Sequence, residues 1–235
     1  MAEKKKALVI LTGAGISAES GIQTFRDSGG LWEGHDVMDV ATPEGWQKDP
    51  ELVLKFYNLR RKDAANAQPN AAHLALKKLE EKYAVFVITQ NVDDLHERAG
   101  TTNVMHLHGM LREVRSSKDP SLIYDVKDQE VLMGDQCELG SQLRPNVVWF
   151  GEPVPMIEKA SILAEAADIF VVIGTSLVVY PAAGLIHFVG RDVPKFIIDP
   201  NTPDAGGAVQ NLTYIPEKAT VGVAALLQKL MDENL

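Results

Sequence analysis

Ala7-Leu8-Val9-Ile10-Leu11 runs straight into Thr12-Gly13-Ala14-Gly15-Ile16-Ser17-Ala18-Glu19-Ser20-Gly21. Five consecutive apolar residues, two of them β-branched, predict a strand buried on both faces, and the glycines at its exit predict a tight turn into a helix. Glycine at such an exit lets backbone N–H groups approach a pyrophosphate, and the helix N-terminus adds a favourable dipole. The same two glycines would equally serve a plain strand–helix turn. Ala18 stands where the dehydrogenase fingerprint has its third glycine or alanine, and no acidic residue marks the end of a second strand. By itself the cluster suggests a bound nucleotide and leaves the chemistry open.

Outward from this strand, short apolar runs recur at 84–88, 147–150, 169–173 and 196–198. Helical patterns fill 50–66, 70–82, 156–166 and 220–231. Apolar strands alternating with amphipathic helices predict an α/β fold, a Rossmann-like parallel sheet with helices on both faces. Two segments break the alternation, 27–67 and the polar 115–143, and are expected to leave the sheet as insertions that form a smaller lobe. The chain is thus expected to be one catalytic domain over 1–235. Its large lobe would comprise about 1–26, 84–114 and 144–235, and its small lobe about 27–83 and 115–143. Ligands of open α/β sheets sit in the crevice such a division creates. The apolar stretch 169–186 has the length of a membrane span, but Gly174-Thr175-Ser176 and Pro181 interrupt it, so a buried strand, a turn and a helix start are expected.

The 235 residues carry 23 Lys and Arg against 32 Asp and Glu, a net charge of −9. That balance lacks the footprint of a nucleic-acid binder, and 46% hydrophobic content argues against disorder. The single cysteine, Cys137, excludes an intrachain disulfide. Lys4, Lys5 and Lys6 precede an apolar run too short for a signal-peptide core. A cytoplasmic protein without a membrane or specific nucleic-acid partner is expected.

Further motifs follow in order: Gly21-Ile22-Gln23-Thr24-Phe25-Arg26, Thr89-Gln90-Asn91-Val92-Asp93-Asp94-Leu95-His96, His106-Leu107-His108-Gly109, Phe150-Gly151-Glu152 and Gly174-Thr175-Ser176-Leu177. With Gly13-Ala14-Gly15-Ile16-Ser17, this set resembles the sirtuins, the NAD-dependent protein lysine deacylases. Ala41-Thr42-Pro43-Glu44 and Tyr57-x-x-Arg60 are similar to patterns of the bacterial class III group. The resemblance implies cleavage of the nicotinamide–ribose bond of NAD, capture of the resulting cationic centre by the acyl-lysine carbonyl oxygen, and release of nicotinamide, O-acyl-ADP-ribose and free lysine.

The resemblance also assigns roles. His108 would be the general base acting on a ribose hydroxyl, whereas His73, His96 and His106 have no such match and are expected to be structural. Gly13, Ala14, Gly15, Ser17, Gln90, Asn91, Asp93, Gly174, Thr175, Ser176, Asp199 and Ala219 would bind NAD, with Phe25 and Arg26 covering its nicotinamide end. Asn91 or Asp93 could also simply cap the helix that follows. Phe150, Gly151, Glu152 and Val178 would hold an extended acyl-lysine peptide. Tyr57 and Arg60, three residues apart on a helix, share one face. The resemblance makes them the recognition pair for succinyl- and malonyl-lysine, with Ala41 leaving room for the longer chain.

Two departures stand out. Most sirtuins hold a structural zinc with two cysteine pairs, whereas here Ser116 stands near one ligand position, only Cys137 remains, and no histidine lies between Gly109 and Phe150. No metal ligands are therefore assigned and zinc is not expected. An apolar hairpin of Leu122, Ile123, Tyr124, Val126, Val131, Leu132 and Met133 would replace its cross-link. Asp199 replaces an asparagine common at its strand end, which could alter NAD affinity. Two other readings stay open: an NAD glycohydrolase or ADP-ribosyltransferase, and a non-catalytic NAD-binding module.

Overall fold

The computed structural model describes residues 4–23, 31–32 and 34–232. In chain order, β1 (Ala7–Thr12) and α1 (Gly15–Ala18) are followed by the small strands β2 (Leu31–Trp32) and β3 (His35–Asp36), then α2 (Val37–Val40), α3 (Pro43–Lys48), α4 (Pro50–Asn66) and α5 (Ala71–Leu79). Next come β4 (Ala84–Thr89), α6 (Leu95–Arg98), β5 (Val104–His106), β6 (Gly109–Ser116), β7 (Ile123–Asp125) and β8 (Leu143–Val147). The chain finishes with α7 (Ile157–Glu165), β9 (Ile169–Ile173), a 3₁₀ helix at Ala182–Phe188, β10 (Lys195–Ile198), β11 (Leu212–Ile215) and α8 (Ala219–Asp232).

Six strands form one parallel sheet in the order β11-β10-β9-β1-β4-β5. Side chains alternate across it, as the pleat requires. Leu8 and Ile10 meet Leu76 and Leu79 of α5 and Val223 and Leu226 of α8. Val9 and Leu11 meet Ala160 and Ala164 of α7 and Leu185 and Ile186 of the 3₁₀ helix. Helices thus cover both faces. The chain leaves β1 toward β4 on one side, and β9 joins it on the other, so a crevice opens at the carboxyl ends of β1 and β9.

Strands β6, β7 and β8 form a separate antiparallel sheet, which with α2, α3 and α4 makes the smaller lobe. This moves the expected lobe boundaries. The second insertion begins at Gly109 rather than after 114, because β6 pairs with β7 and β8 and not with the parallel sheet. Helix α5, assigned to the small lobe, packs on the large sheet through Ala72, Leu76 and Leu79. The run 147–150 is likewise no parallel strand. Val147 ends β8, after which Val148 N donates to His108 O and Phe150 N to Ala41 O, both at 2.9 Å. Edge strand β11, half-exposed and without an apolar run, escaped the sequence reading.

The stretch 169–186 resolves into buried β9, a turn and the 3₁₀ helix, and no helix among the described residues is long and apolar enough to cross a membrane. The expected apolar hairpin does not form. Ile123, Leu132 and Met133 are exposed; Val131 is buried beside Leu54 and Val114, with Tyr124 and Val126 partly buried against them. Polar side chains hold that segment instead. Asn58 exchanges two hydrogen bonds with the Val131 backbone, at 2.9 and 3.0 Å. Arg61 donates to the carbonyls of Leu111 and Gln129, at 2.7 and 3.2 Å.

Candidate active site

Every expected site residue among the described ones lines a single cleft of about 1560 Å³ between the lobes. Phe25 and Arg26 lie outside the described residues.

At its centre, the turns leaving β1 and β9 touch. Gly13 N donates to Ile173 O at 3.0 Å and Gly15 N to Gly174 O at 2.8 Å. A Cβ on Gly15 would stand 2.6 Å from Gly174 Cα, and one on Gly13 would stand 2.7 Å from Thr175 Cβ, so only glycine allows this approach. Helix α1 has just four residues. The expected helix dipole is accordingly small, and an anion here would depend on individual backbone N–H groups. Toward β10, Asp199 and Ala219 border the same cleft; Asp199 Oδ1 accepts from Asn201 N at 2.9 Å, which shapes the turn there.

On the β4 side the polar residues form a bonded network. Ser17 Oγ donates to Asp93 Oδ2 at 3.0 Å, and Asn91 Nδ2 donates to Ser17 Oγ at 3.1 Å. Asp93 Oδ1 also accepts from Leu95 N at 3.1 Å, so it satisfies the first free N–H of α6 although the N-cap position itself is Asp94. Burial pushes its carboxyl above the ordinary value, against the pull of the Leu95 and Ser17 bonds. Behind it, His96 Nε2 lies 3.0 Å from Thr12 Oγ1, which donates to Thr89 Oγ1 at 2.8 Å. His106 bonds to Asn91 O and to Glu97.

His108 lies two residues past the end of β5, immediately before β6, with its Nδ1 3.0 Å from Gln90 O. A carbonyl only accepts, so Nδ1 carries the hydrogen and Nε2 of the neutral ring keeps its lone pair. Burial draws this imidazole below its ordinary value, with the Gln90 bond opposing. Gly109 follows at φ +77, where an added Cβ would collide with Asn146 O.

On the small-lobe wall, Tyr57 and Arg60 of α4 are 1% and 7% exposed. The Arg60 guanidinium lies 5.8 Å from the Phe56 ring centroid. Ala41 is buried and accepts from Phe150 N, which links it to the 150–152 turn. Val178 is 70% exposed on the opposite rim.

The residues near the expected zinc position do not fit the metal. Ser116 Oγ lies 2.7 Å from Ser141 Oγ, which lies 3.1 Å from Cys137 Sγ. Tetrahedral zinc ligands stand roughly 3.3–3.8 Å apart and are deprotonated thiolates or imidazoles. A single cysteine with two mutually hydrogen-bonded hydroxyls does not supply such a set.

Sequence reasoning missed Trp149, whose indole reaches Tyr57, and Arg144, which stacks on it. It also missed the Thr12, Thr89 and His96 support. Except for Arg144 on Trp149, five residues apart, these contacts join residues far apart in the chain, and no local spacing signals them.

The Sir2 family matches residues 13–181. A Helicobacter pylori (strain J99) protein named NAD-dependent protein deacylase is 52% identical over 227 residues, covering 97% of this chain and 96% of that protein. A Bacteroides thetaiotaomicron protein of the same name is 53% identical over 231 residues, covering 96% and 98%. A solved Sir2 homologue–NAD complex is 41% identical with a TM-score of 0.87, covering 97% of this chain and 90% of the other. A Sir2 homologue mutant–ADP-ribose complex is equally 41% identical, with a TM-score of 0.88, covering 98% and 95%. The chain belongs to the Sir2 family.

Proposed function

We propose that this protein is an NAD-dependent protein lysine deacylase, acting as one catalytic unit, whose preferred acyl groups end in a carboxylate, as in succinyl- and malonyl-lysine. NAD is a co-substrate. The strand order supports one orientation for it: diphosphate over the touching turns of β1 and β9, adenosine toward Asp199 and Ala219, nicotinamide ribose toward Gln90, Asn91 and Asp93. Loss of nicotinamide leaves a positively charged sugar carbon, and the acyl-lysine carbonyl oxygen bonds to it. A ribose hydroxyl then attacks the captured acyl carbon. His108 Nε2 takes the proton from that hydroxyl, its ring turned by the Gln90 carbonyl. The imidazolium returns that proton to the lysine nitrogen, whose bond to the acyl carbon breaks, and a water molecule adds to the remaining cyclic cation, so that free lysine and O-acyl-ADP-ribose leave.

One observation carries the acyl preference: buried Tyr57 and Arg60 line the cleft that His108 lines. A guanidinium fork and a phenol donor match a carboxylate, and a carboxylate out of water strongly favours such partners.

The test is incubation with NAD and either succinyl- or acetyl-lysine peptide, with products identified by mass. O-Succinyl-ADP-ribose is expected, and Arg60→Met should lower desuccinylation roughly ten- to a hundredfold while affecting deacetylation far less. Equal losses would overturn the preference. ADP-ribose formed regardless of peptide would overturn deacylation.

A further inference from the structure

Behind Tyr57 lies a connected set of groups that the chemistry above does not use. The Glu152 carboxylate accepts from Trp149 N at 2.8 Å, from Arg144 at 2.8 and 3.2 Å, and from Arg115 at 3.2 and 3.3 Å. The Arg144 guanidinium carbon lies 3.3 Å from the Trp149 ring centroid. The Trp149 indole Nε1 then donates to the Tyr57 hydroxyl at 3.0 Å. Glu152 was expected to hold substrate, but its carboxylate is occupied by these internal partners.

Donor chemistry fixes the direction of the last bond. An indole N–H can only donate, so the Tyr57 oxygen accepts and its own proton points away from Trp149. Among the described residues nothing accepts that proton, and Tyr57 edges the cleft beside Arg60. Burial raises the phenol well above its ordinary value, so the proton stays in place across the working pH range.

We propose that Trp149 is a specificity-positioning residue. Its indole N–H turns the Tyr57 proton toward the terminal carboxylate of the acyl group, and the Arg115–Glu152–Arg144 cluster clamps the indole for that task. This inference rests on the carboxylate-ended reading of the pocket. Without the indole donor, Tyr57 is free to turn its proton to other acceptors, and a directed donor is lost exactly one contact away from the acyl group's charge.

The test is steady-state kinetics on succinyl- and acetyl-lysine peptides at saturating NAD, for Trp149→Phe, Tyr57→Phe, the double variant and Arg60→Met. Trp149→Phe should raise KM for the succinyl peptide about five- to tenfold, the worth of one neutral hydrogen bond. Its kcat on that peptide, and both constants on the acetyl peptide, should stay within about threefold. The double variant should be no worse than Tyr57→Phe, because the effect passes through that phenol. Equal losses on both peptides, or multiplying effects in the double variant, would overturn the inference. If Trp149→Phe melts too low to assay, Arg144→Lys removes the planar stack and keeps the indole N–H; a succinyl-selective KM rise supports the clamp and an equal loss overturns it. Selective loss in Arg60→Met beside an unselective Trp149→Phe sinks this inference alone. No selectivity in Arg60→Met sinks the pocket reading and this inference with it.

Discussion

Gln90 Nε2 donates to Thr175 Oγ1 across 3.1 Å, tying the end of β4 to the end of β9 over the strand between them, β1. The same residue's carbonyl holds His108. Gln90 therefore couples the turn proposed to face the diphosphate with the base proposed to act on the ribose.

Gln90→Ala removes only the side-chain half of this link, since the backbone carbonyl remains. A neutral hydrogen bond is worth about 0.5–1.5 kcal/mol, so KM for NAD should rise roughly two- to twelvefold. The acid limb of the pH profile should not move. NAD titration at saturating acyl peptide measures the first, and an unchanged KM would count against the coupling.

How much of this was legible beforehand depends on the range over which a signal acts. Val9 and Leu11 against Leu8 and Ile10 announce a two-sided strand within five residues, and the glycine turn follows within three more. Positions such as His108, Tyr57 and Arg60 were legible because each sits in a short motif, and the folded chain brings them to one cleft. The lobe boundary was not. Helix α5 has the same amphipathic pattern whichever sheet it covers, and periodicity does not name the partner. Nor could spacing reveal Trp149 on Tyr57, a contact between residues 92 apart. Nor does apolar clustering around 122–133 distinguish a buried hairpin from a segment that Asn58 and Arg61 hold by its backbone.

His108 acts as a base only when neutral, and burial lowers its pKa below the ordinary 6.5. As pH falls, the ring should protonate late, so the acid limb of kcat/KM is expected to have its midpoint below about 6.5. His108→Gln should lower turnover about 10²- to 10⁴-fold. Exchange of labelled nicotinamide into NAD should persist, because it precedes the proton transfer. Loss of exchange in step with turnover would remove His108 from the later step.

The hydroxyl knot of Ser116, Ser141 and Cys137 leads to an expectation about metals. Activity and melting temperature should be indifferent to a strong chelator, and metal analysis of the purified protein should find no stoichiometric zinc. Asn58→Ala strips both bonds from buried Val131 and should destabilise by about 2–3 kcal/mol, against about 1 kcal/mol for Ser116→Ala. Denaturant unfolding orders the two. A chelator-induced drop in melting temperature would mean that the knot binds metal after all.

The edge-to-face pair His73 and His96, with ring centroids 5.0 Å apart, makes acid the fold's weak side. Both rings are fully buried, and desolvation lowers His73 from 6.5 to about 4 and His96 well below 6.5. In the unfolded chain both protonate near 6.5, so below that pH the unfolded state holds more protons and stability must fall as pH falls. His106 works the other way: its bonds to Glu97 and Asn91 O raise it despite burial, so its contribution is complete below 6.5 and is lost only as pH rises beyond. Between pH 6.5 and 5 the depressed histidines therefore set the slope. His73 alone contributes about 1.4 kcal/mol per pH unit there, and about 3 kcal/mol by pH 4. His73 is the third residue of α5, where its ring accepts from Asn70 N, and glutamine can make the same reciprocal bond without a titrating ring. His73→Gln should thus leave stability at pH 7.5 within about 1 kcal/mol and flatten the acid slope by about one proton. Urea unfolding at pH 7.5, 6.0 and 5.0 measures it, and an unchanged slope would show that His73 already carries its proton in the folded protein.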